Sequence, residues 1–566
     1  MSSDPLILGI SASHNGSACL LRGDRVLVAI QEERLCRVKR QRIFARWPFL
    51  ALRYCFEAAG VGPEDLDLVA CCVQGRATSP KQDFTLNGEL QIARRGMPWL
   101  AVPHHLAHAV SAFATSGYPS AAALVVDGLG SPQADLGDDE CNVILARQGD
   151  DAWESISFYR IDQTELVPVE KQMTPNSGPV RGRARLDQPD WNLLCSGTLG
   201  QLYAAVANQI FGDRQAAGKV MGLAAYGKPV IPIEEFFEIR DGAIVFRDLV
   251  PARFPFKERW PAHRQEYADL ACSVQAALEH ALLFLAARLR EMTAESRLCY
   301  AGGVALNSVA NERIIRESGF REVHIIPAAE DSGVSIGVAY EGLHHLTGRY
   351  VSRRLDSDSF GVAYTPAEVG RAIEAAPVRR AAQPDDLIEE VVRRLCAGEI
   401  GGWFCGGSEL GPRALGYRSI LCDPRGPDAK ARLNERVKRR EMFRPFAPVI
   451  LLEDVDDWFD VGGAAREARF MLRVLPFRPE RAPQVPAVVH ADGTGRLQTV
   501  SSHDGPLYAL VRRMKERTGV PILLNTSFNV AGEPIVETPA DALWTFLEVD
   551  MDFCVLDETL VTKADG

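Results

Sequence analysis

Three of the chain's eleven histidines fall within five positions, in the stretch VPHHLAHAVSAF at residues 102–113. If this stretch is helical, His104 and His108 lie four residues apart on one face, and their imidazoles can bind the same metal ion. A catalytic metal site needs further ligands, commonly carboxylates, and an open coordination position. Asp127 and Asp331 each follow an apolar run, where such ligands are often found. The spacing also fits histidines that merely cap and solvate a helix start, and aspartates in ordinary turns.

A second set of side chains that could do chemistry lies in the last third of the chain. GGSELGPRALGYRSILCDPR (406–425) holds arginines among glycines and prolines, and ARLNERVKRREMFRPFAPVIL (431–451) adds a lysine and further arginines. Such residues can present guanidinium groups and amides to a phosphate or a carboxylate. GTGRLQTVS (493–501) and LLNTSFNVAGEPIVETP (523–539) contribute another arginine with amide and hydroxyl groups. The alternatives are a solvated helix face for the arginines and a simple turn for the amides.

Four stretches rich in glycine and small residues could bring the backbone close to a phosphate or an adenosine. They are SHNGSA (13–18), DGLGS (127–131), GKVMGLAAYGKP (218–229) and AGGVALNS (301–308). None is a Walker A loop or a G-x-G-x-x-G fingerprint, and each alone fits a tight turn. Together they resemble the phosphate and adenosine loops of the actin/hexokinase-like ATPases. His14, at the tip of the first stretch, is either a base that reaches a bound substrate or an exposed turn residue.

The elements that must position these groups are apolar strands and helices that alternate along the chain. The opening reads as a hairpin, and later strands such as AAALVVDGLGS are followed by small residues and then helices. This order predicts an α/β fold with ligand-binding loops at the strand ends. The stretch GRYVSRRLDSDSFG (348–361) is polar and lacks periodicity, so we place the main boundary near residue 355. The predicted domains are residues 1–355 and 356–566.

Composition narrows the class of protein. A chain of 566 residues exceeds one ordinary core, and a net charge of −11 argues against a nucleic-acid binder, which is normally basic. We find no apolar run of the length that a membrane span needs and no basic region like that of a signal peptide. Thirteen scattered cysteines without a C-x-x-C pair indicate reduced thiols. We therefore expect a cytoplasmic protein that binds neither nucleic acid nor membrane.

The motifs, taken in order, resemble those of the NodU/CmcH-type O-carbamoyltransferases, which modify antibiotics and nodulation factors. The first half supplies SHNGSA, EERLCRVKR, HHLAHAVSAF, VVDGLG, GKVMGLAAYGKP, AGGVALN and AEDSG. The second half supplies ELGPRALGYRSIL, VKRREMFRPFAP, DGTGRLQTV and LNTSFNVAGEPIVETP. The resemblance covers nearly the whole chain. It implies an N-terminal actin/hexokinase-like ATPase fold that carries a metal, followed by a C-terminal YrdC-like α/β domain.

The resemblance also implies a reaction. Carbamoyl phosphate and ATP yield carbamoyl-adenylate in the C-terminal domain, and the N-terminal domain transfers the carbamoyl group to a hydroxyl of a small-molecule natural product, as in antibiotic biosynthesis and other secondary metabolism. The implied cofactors are ATP with Mg²⁺ and a divalent metal, usually Fe²⁺. Manganese and zinc also suit mixed ligation by histidine and aspartate.

The resemblance assigns roles residue by residue. The metal ligands are His104, His108, Asp127 and Asp331, and His14 is the histidine of the transfer site. The carbamoyl phosphate and adenylate site comprises Arg413, Arg418, Lys438, Arg444, Arg496, Asn525 and Ser527. Of these, Arg413, Lys438 and Arg444 are expected to be catalytic together with His14. The nucleotide contacts of the first domain are Gly128, Lys219, Gly222, Gly302, Gly303 and Asn307.

Two positions depart from the family pattern. The hairpin tip is usually His-Asp-Ala-Ser and reads His-Asn-Gly-Ser here, so any role of an acid at position 15 is absent. The usual Gly-Asn-Arg-Ser reads Gly-Tyr-Arg-Ser, so a side-chain contact from position 417 is in doubt. Neither change touches the predicted metal ligands or arginines.

Three other functions are compatible with parts of the sequence. An actin-fold phosphotransferase acting on a sugar or small acid accounts for the glycine stretches, but it leaves the cationic stretches without a role. A non-catalytic nucleotide-binding scaffold leaves the same cations unexplained, and transfer to tRNA conflicts with the negative charge. The acceptor is not identified by any motif, although GPVRGRARLDQPDWN (178–192) is a candidate for lining its pocket.

Overall fold

The computed structural model describes residues 4–43, 49–72, 98–146, 152–175, 197–247, 258–380 and 386–564. The chain divides into two units. The first comprises Met1–Glu32 and Gln41–Asp356, and the second comprises Glu33–Arg40 and Ser357–Gly566. Strands and helices alternate in both units, which confirms the α/β class. The segment Glu33–Arg40 belongs to the second unit, although it lies within the predicted first domain.

The first sheet of the first unit grows from the N-terminal hairpin. Its strands are Leu6–Ser11 (β1), Ser17–Arg22 (β2), Arg25–Gln31 (β3), Leu68–Cys72 (β4) and Trp99–Ala101 (β5), in the order β3-β2-β1-β4-β5. β1 pairs antiparallel with β2 and parallel with β4. Every residue of β1 and β4 is buried, which explains why both strands are continuous apolar runs rather than alternating ones. The β1–β2 hairpin places His14 at its tip.

The second sheet of the first unit carries two of the predicted ligand loops. Its strands are Ser120–Val126 (β6), Ile144–Ala146 (β7), Ala152–Asp162 (β8), Leu166–Pro175 (β9), Arg297–Ala301 (β12) and Glu322–Ile325 (β13), and Phe237–Arg240 (β10) with Ala243–Phe246 (β11) form a separate hairpin. The order is β13-β12-β6-β8-β9-β7. β6 and β12 are parallel neighbours, so the loops after them meet at one edge of the sheet.

Nine helices of the described part of the chain lie in the N-terminal 356 residues. They are Glu32–Cys36 (α1), Leu50–Ala59 (α2), His104–Ala114 (α3), Asp138–Asn142 (α4), Leu199–Phe211 (α5), Ala217–Ala224 (α6), Arg264–Thr293 (α7), Ser308–Glu317 (α8) and Val334–Thr347 (α9). As the sequence predicts, α2 ends at Gly60, which has a left-handed backbone conformation with φ of 62°. α3 begins directly after the extended residue Pro103, which suits a proline at a helix start.

Helix α7 corrects one expectation from the sequence. It has 30 residues, and its most apolar window has a mean hydropathy of 1.6, so by length and composition it could cross a membrane. The prediction that no segment reaches this limit is therefore wrong. In the structure 61% of that window is buried inside the protein, as expected for a core helix whose alanines and leucines pack against neighbouring elements.

The second unit is built on one mixed sheet. Its strands are Val378–Arg380 (β14), Gly401–Phe404 (β15), Arg418–Cys422 (β16), Ala447–Leu451 (β17), Arg473–Pro476 (β18), Thr494–Val500 (β19), Ile522–Ser527 (β20), Phe553–Leu556 (β21) and Thr559–Lys563 (β22). The order is β14-β22-β21-β15-β16-β20-β17-β19-β18. Its helices are Pro366–Glu374 (α10), Leu387–Cys396 (α11), Ala429–Arg432 (α12), Val455–Trp458 (α13), Gly505–Thr518 (α14) and Pro539–Glu548 (α15).

Helices cover both faces of this sheet. Phe404 and Ile420 pack into one apolar cluster with α10 and α15, whereas the adjacent residues Trp403 and Leu421 pack into another with α11 and α14. Successive side chains of a strand point to opposite faces, so β15 and β16 contribute to both clusters. α11 begins where the sequence predicts, because the side chain of Asp386 accepts a hydrogen bond from the backbone of Glu389.

Candidate functional site

One helix and two strand-end loops bring four predicted metal ligands together in the first unit. His104 and His108 lie one turn apart on α3, Asp127 follows β6, and Asp331 begins the short turn that precedes α9. All four side chains are buried, and one ligand atom from each lies within 4.8 Å of those from the others. We call these four residues the metal tetrad.

The geometry of the metal tetrad suits a cation. His104 Nε2 lies 3.1 Å from Asp127 Oδ2, 3.2 Å from His108 Nε2 and 3.5 Å from Asp331 Oδ1. Asp331 Oδ1 and His108 Nδ1 are buried without a hydrogen-bond partner among the described residues. Atoms that bind one metal ion at about 2.1 Å lie about 3 to 3.5 Å apart. The donor set therefore fits iron, manganese or zinc.

The charges of the metal tetrad balance one another. Burial opposes the charged form of His104, but the charge of Asp331 overcomes it and raises the pKa of His104 well above its ordinary value. Burial also opposes the charged form of Asp331, yet His14 and His104 lower the pKa of that carboxyl well below its usual range. His14 Nδ1 lies 2.9 Å from Asp331 Oδ2. The charge of Asp331 raises the pKa of His14 to about 9, against the opposing effect of burial.

Three further side chains border the metal tetrad. His104 Nδ1 lies 3.4 Å from the thiol of Cys72, so its other ring nitrogen faces the carboxylates. Asn15, which replaces the acid typical of the resembled family, donates a hydrogen bond of 2.6 Å to Glu330 Oε2. His105 is not part of the tetrad, and burial lowers its pKa to about 3, so it stays neutral.

The metal tetrad is joined to the glycine loops by Asp127. Its Oδ1 accepts a 2.8 Å hydrogen bond from the backbone N–H of Gly303. Gly302 has a left-handed φ of 96°, and a Cβ there would lie 2.2 Å from the carbonyl oxygen of Val126, so only glycine fits. A Cβ on Gly128 would meet nothing within 4 Å, which leaves space beside the backbone for a ligand.

The remaining predicted nucleotide contacts lie on or beside helices. Lys219 and Gly222 are on α6, and Lys219 Nζ lies 5.3 Å above the ring of Phe211. The side chain of Asn307 caps α8 by accepting a hydrogen bond from Ala310 N and also exchanges hydrogen bonds with Gln275. The structure thus gives the Asn307 side chain a structural role.

A buried ionic network supports the start of α3. Lys171 is fully buried between Glu154 and Glu140, and Lys171 Nζ lies 3.0 Å from Glu140 Oε1. Glu154 Oε2 accepts hydrogen bonds from the backbone N–H groups of Ser131 and His105 at 2.9 and 3.3 Å. Burial alone would raise the pKa of Glu154, but the charge of Lys171 lowers it to about 2. This network fixes the backbone from which His104 projects.

In the second unit, Lys438 is held at the end of an irregular helical turn. α12 passes into a π-helical turn, Leu433–Lys438, which ends at Arg439 in the left-handed conformation. Such turns are frequent at functional sites. Lys438 Nζ donates to the carbonyl oxygens of Ser527 and Asn529 at 2.8 and 2.7 Å, and to Asn529 Oδ1 at 2.7 Å. Burial and nearby arginines lower the pKa of Lys438 well below its ordinary value.

Four arginines lie close to one another, and the charges of two of them, Arg440 and Arg444, act on Lys438. Burial and the charge of Arg444 lower the pKa of Arg413 to about 10 and that of Arg440 to about 9. Burial and the other three arginines lower the pKa of Arg496 well below its usual range. The Nε atoms of Arg413 and Arg496 are buried without a hydrogen-bond partner among the described residues. We call Arg413, Lys438, Arg440, Arg444 and Arg496 the anion site, since repelling cations of this kind are stabilised by a bound anion.

Comparison with known families decides where the chain belongs. Residues 81–340 match the model described as carbamoyltransferase N-terminus, and residues 392–563 match the one described as carbamoyltransferase C-terminus. The chain belongs to the carbamoyltransferase family. It is therefore a transferase, and the resemblance stated from its motifs is confirmed.

Named relatives of this carbamoyltransferase cover most of its length. Nodulation protein NolNO of Sinorhizobium fredii is 32% identical over 97% of this chain and 79% of its own. The 3'-hydroxymethylcephem-O-carbamoyltransferase of Amycolatopsis lactamdurans is 29% identical over 62% of this chain and 65% of its own. Among solved structures, HypF of T. kodakarensis is 16% identical over 62% of this chain and 48% of its own, with a TM-score of 0.40.

Two predicted substrate contacts of the carbamoyltransferase have other partners in the structure. The guanidinium of Arg418 is fully buried, lies 3.6 Å from the centre of the Phe404 ring and donates to the carbonyl oxygens of Cys405 and Gly406. Asn525 Nδ2 donates to the carbonyl of Ala414 and to Gln498. Arg418 Nη2 and Asn525 Oδ1 are nevertheless buried without a hydrogen-bond partner among the described residues, so a substrate contact of these two side chains stays a prediction.

Two residues outside the predicted set belong to the anion site or contact it. Asn529 joins Lys438 to Ser527, whose Oγ donates to Asn529 Oδ1 at 2.6 Å. Arg440 stacks 4.6 Å from the Phe446 ring and donates to Asn434 Oδ1. Their signal was present in the sequence, because both lie in motifs that carry the family resemblance.

The remaining candidates from the sequence are Tyr417 and the stretch 178–192. The hydroxyl of Tyr417 lies 3.1 Å from Ser357 Oγ, so this departure from the family pattern serves a contact within the second unit. The stretch 178–192, predicted to line the acceptor pocket, lies outside the described residues.

Proposed function

We propose that this carbamoyltransferase is an ATP-dependent O-carbamoyltransferase that works in two steps. The second unit forms carbamoyl-adenylate from carbamoyl phosphate and ATP, and the first unit transfers the carbamoyl group to a hydroxyl of a small-molecule natural product. The observation that carries this proposal is the anion site, where neighbouring arginines lower the pKa values of Arg413, Lys438 and Arg496, and two buried Nε atoms lack hydrogen-bond partners among the described residues. Two anionic substrates would supply those partners.

The first step consumes carbamoyl phosphate and ATP. Water cleaves carbamoyl phosphate to carbamate and inorganic phosphate, and a carbamate oxygen then attacks the α-phosphorus of ATP. A new P–O bond forms, and the bond to pyrophosphate breaks. The arginines of the anion site hold both anions and stabilise charge on the departing phosphates. Lys438 lies beside these arginines, and its ammonium is held by hydrogen bonds of 2.8 and 2.7 Å to the Ser527 carbonyl oxygen and Asn529 Oδ1.

In the second step the hydroxyl oxygen of the acceptor attacks the carbonyl carbon of the adenylate, and AMP leaves. The metal tetrad would hold the metal, which supplies a cation for the phosphate of AMP and offsets the charge of Asp331. His14 takes the proton of the hydroxyl. Asp331 Oδ2 lies 2.9 Å from His14 Nδ1 and orients the ring, so Nε2 is the nitrogen that accepts the proton. Gly128, Gly302 and Gly303 bind the nucleotide through their backbone, and Lys219 and Gly222 lie on the facing helix.

We also propose the fold of each unit, the identity of the metals and the location of the protein in the cell. The first unit is an actin/hexokinase-like ATPase domain and the second a YrdC-like domain, with Fe²⁺ in the metal tetrad and Mg²⁺ bound with ATP. The protein acts in the cytoplasm, on neither nucleic acid nor membrane. The relatives named as a nodulation protein and a cephem O-carbamoyltransferase support a natural product as the acceptor.

The products distinguish this proposal from its competitor, a phosphotransferase. The protein is incubated with ATP and labelled carbamoyl phosphate, and hydroxylated natural products are screened by mass for the gain of one carbamoyl group. AMP and pyrophosphate must form only when carbamoyl phosphate is present. Formation of ADP with a phosphorylated acceptor would support the phosphotransferase, and tight ATP binding without turnover would support a scaffold.

Replacement of His14 tests the division between the two steps. His14→Asn is expected to abolish carbamoylation of the acceptor while carbamoyl-phosphate-dependent exchange between ATP and pyrophosphate persists. Loss of both activities would contradict the assignment of His14 to the transfer step alone.

A further inference from the structure

The segment Glu33–Arg40 is separated in sequence from the rest of the second unit by more than three hundred residues. It follows β3, and Arg40 N donates a 2.7 Å hydrogen bond to Glu33 Oε2, which closes the segment on itself. We call this segment the strap. Neither its fold nor its place in the second unit follows from the α/β pattern of the chain.

Arg34 ties the strap to the loop that carries Arg413. Its side chain is fully buried, and Nη2 donates to the carbonyl oxygens of Gly411 and Glu409 at 2.9 and 3.2 Å. Gly411 has a left-handed φ of 109°, so the backbone here follows a path that few residues can adopt. A buried guanidinium that bridges two carbonyls on this path fixes it with two directional bonds.

The carboxylate of Glu409 braces the other side of the same loop. Glu409 Oε1 accepts hydrogen bonds from the backbone N–H groups of Leu415, Tyr417 and Arg418 at 2.7, 2.9 and 3.2 Å. Arg413 therefore lies in a loop whose two flanks are held, one by Arg34 and one by Glu409. This explains how a half-buried arginine with an unpartnered Nε keeps its place against repulsion from Arg444.

The strap also contacts the loop that follows β20 and contains Asn529. Arg37 Nη1 and Nη2 donate to the carbonyl oxygens of Ile535 and Pro534 at 2.7 and 3.1 Å. That loop continues from Asn529, which contacts Lys438. The charge of Lys39 contributes to the lowered pKa of Lys438, so the strap ends close to the cations.

We propose that the strap completes the anion site and that Arg34 is a positioning residue, which sets the affinity for carbamoyl phosphate by fixing the loop of Arg413. The proposal rests on the proposed function of the second unit. It predicts that residues 357–566 alone lack a competent site, because the strap is supplied by the N-terminal part of the chain.

The test measures exchange between ATP and labelled pyrophosphate in the full chain as carbamoyl phosphate is varied. Arg34→Gln is expected to raise the KM for carbamoyl phosphate by about tenfold, since small displacements of a positioning group have large effects. Arg34→Lys keeps the charge but not the fork of donors, and should give an intermediate KM. Arg22→Gln, at an exposed arginine of β2, is the matched control and should leave KM unchanged.

KM separates positioning from mere support of the fold, because a structural role lowers the amount of active enzyme and thus kcat, but leaves KM unchanged. A folded Arg34→Gln protein whose KM for carbamoyl phosphate stays within about twofold of the unchanged chain would overturn the proposal. If Arg34→Gln does not fold, Arg34→Lys decides by the same criterion. Absence of exchange in the unchanged chain would instead contradict the proposed function itself.

Discussion

The metal tetrad and the anion site differ in their charges, since the first combines opposite charges and the second combines like charges. In the first unit histidines and aspartates lie together, so charges of opposite sign raise the pKa of His104 and lower that of Asp331. In the second unit cations lie together, so burial and repulsion lower the pKa values of Arg413 and Arg496. The charges of the first arrangement offset one another, whereas those of the second repel. Substitutions should therefore destabilise the first region and stabilise the second.

The largest expected effect is the loss of transfer when the metal tetrad is broken. Asp331→Asn removes the carboxylate that faces both histidines and His14, so we expect loss of bound metal and a fall in carbamoyl transfer of at least about 1000-fold. Metal content measured on the purified protein gives a readout independent of activity. Glu57→Gln, at an exposed residue paired with Arg53, is the control, and full metal content in Asp331→Asn would contradict the assignment.

The next effect concerns stability in the first unit. Glu154→Gln leaves buried Lys171 with less opposing charge and should lower the free energy of unfolding by about 3 kcal/mol at pH 7. The pKa of Glu154 lies at about 2 in the folded chain, below the ordinary value near 4.5. Its contribution is therefore present above pH 4.5 and is lost as the pH falls toward 2. Denaturant unfolding at several pH values should show the variant and the unchanged chain converging in acid, and a constant difference would contradict this.

In the second unit we expect a substitution to raise the free energy of unfolding. Arg496→Met removes a guanidinium whose charged form is disfavoured by burial and by three arginines, so the chain without ligands should gain about 1 kcal/mol of stability. The same variant should lose carbamoyl-phosphate-dependent exchange. Arg512→Gln, in an exposed pair with Glu516, should change neither quantity. Destabilisation by Arg496→Met would contradict this, because it would mean that other groups of the protein already stabilise the charge of the Arg496 guanidinium.

The smallest effect is a response to a simple anion. Inorganic phosphate should raise the free energy of unfolding of the unchanged chain by about 0.4 kcal/mol when its concentration equals its Kd. Thermal unfolding across a phosphate titration measures this, with chloride at equal ionic strength as the control. Arg496→Met should respond less than the unchanged chain, and equal responses would place phosphate elsewhere.

The metal tetrad shows what could be predicted from the sequence. The spacing of His104 and His108 and the positions of Asp127 and Asp331 after apolar runs were sufficient to nominate them, and the family resemblance chose between the open alternatives. The structure then places the four together. The α/β class followed in the same way, from local patterns that short stretches of sequence carry.

Contacts between distant stretches could not be predicted in this way. Arg413 and Arg418 are the same residue type in one motif, and only the fold directs Arg418, at the start of β16, to backbone carbonyls. The strap is a stronger case, since nothing in residues 33–40 indicates that they belong with residues 357–566. Helix α7 was overlooked in the sequence, because its polar and charged residues interrupt a composition that still reaches the mean hydropathy of a membrane span.

The central claim is that activation and transfer are separate chemistries on separate units. Carbamoyl-phosphate-dependent exchange between ATP and pyrophosphate, measured side by side in Asp331→Asn and Arg413→Gln, tests it most directly. The account predicts exchange near that of the unchanged chain in Asp331→Asn and a loss of about 100-fold in Arg413→Gln. Exchange that is lost in Asp331→Asn but retained in Arg413→Gln would contradict it.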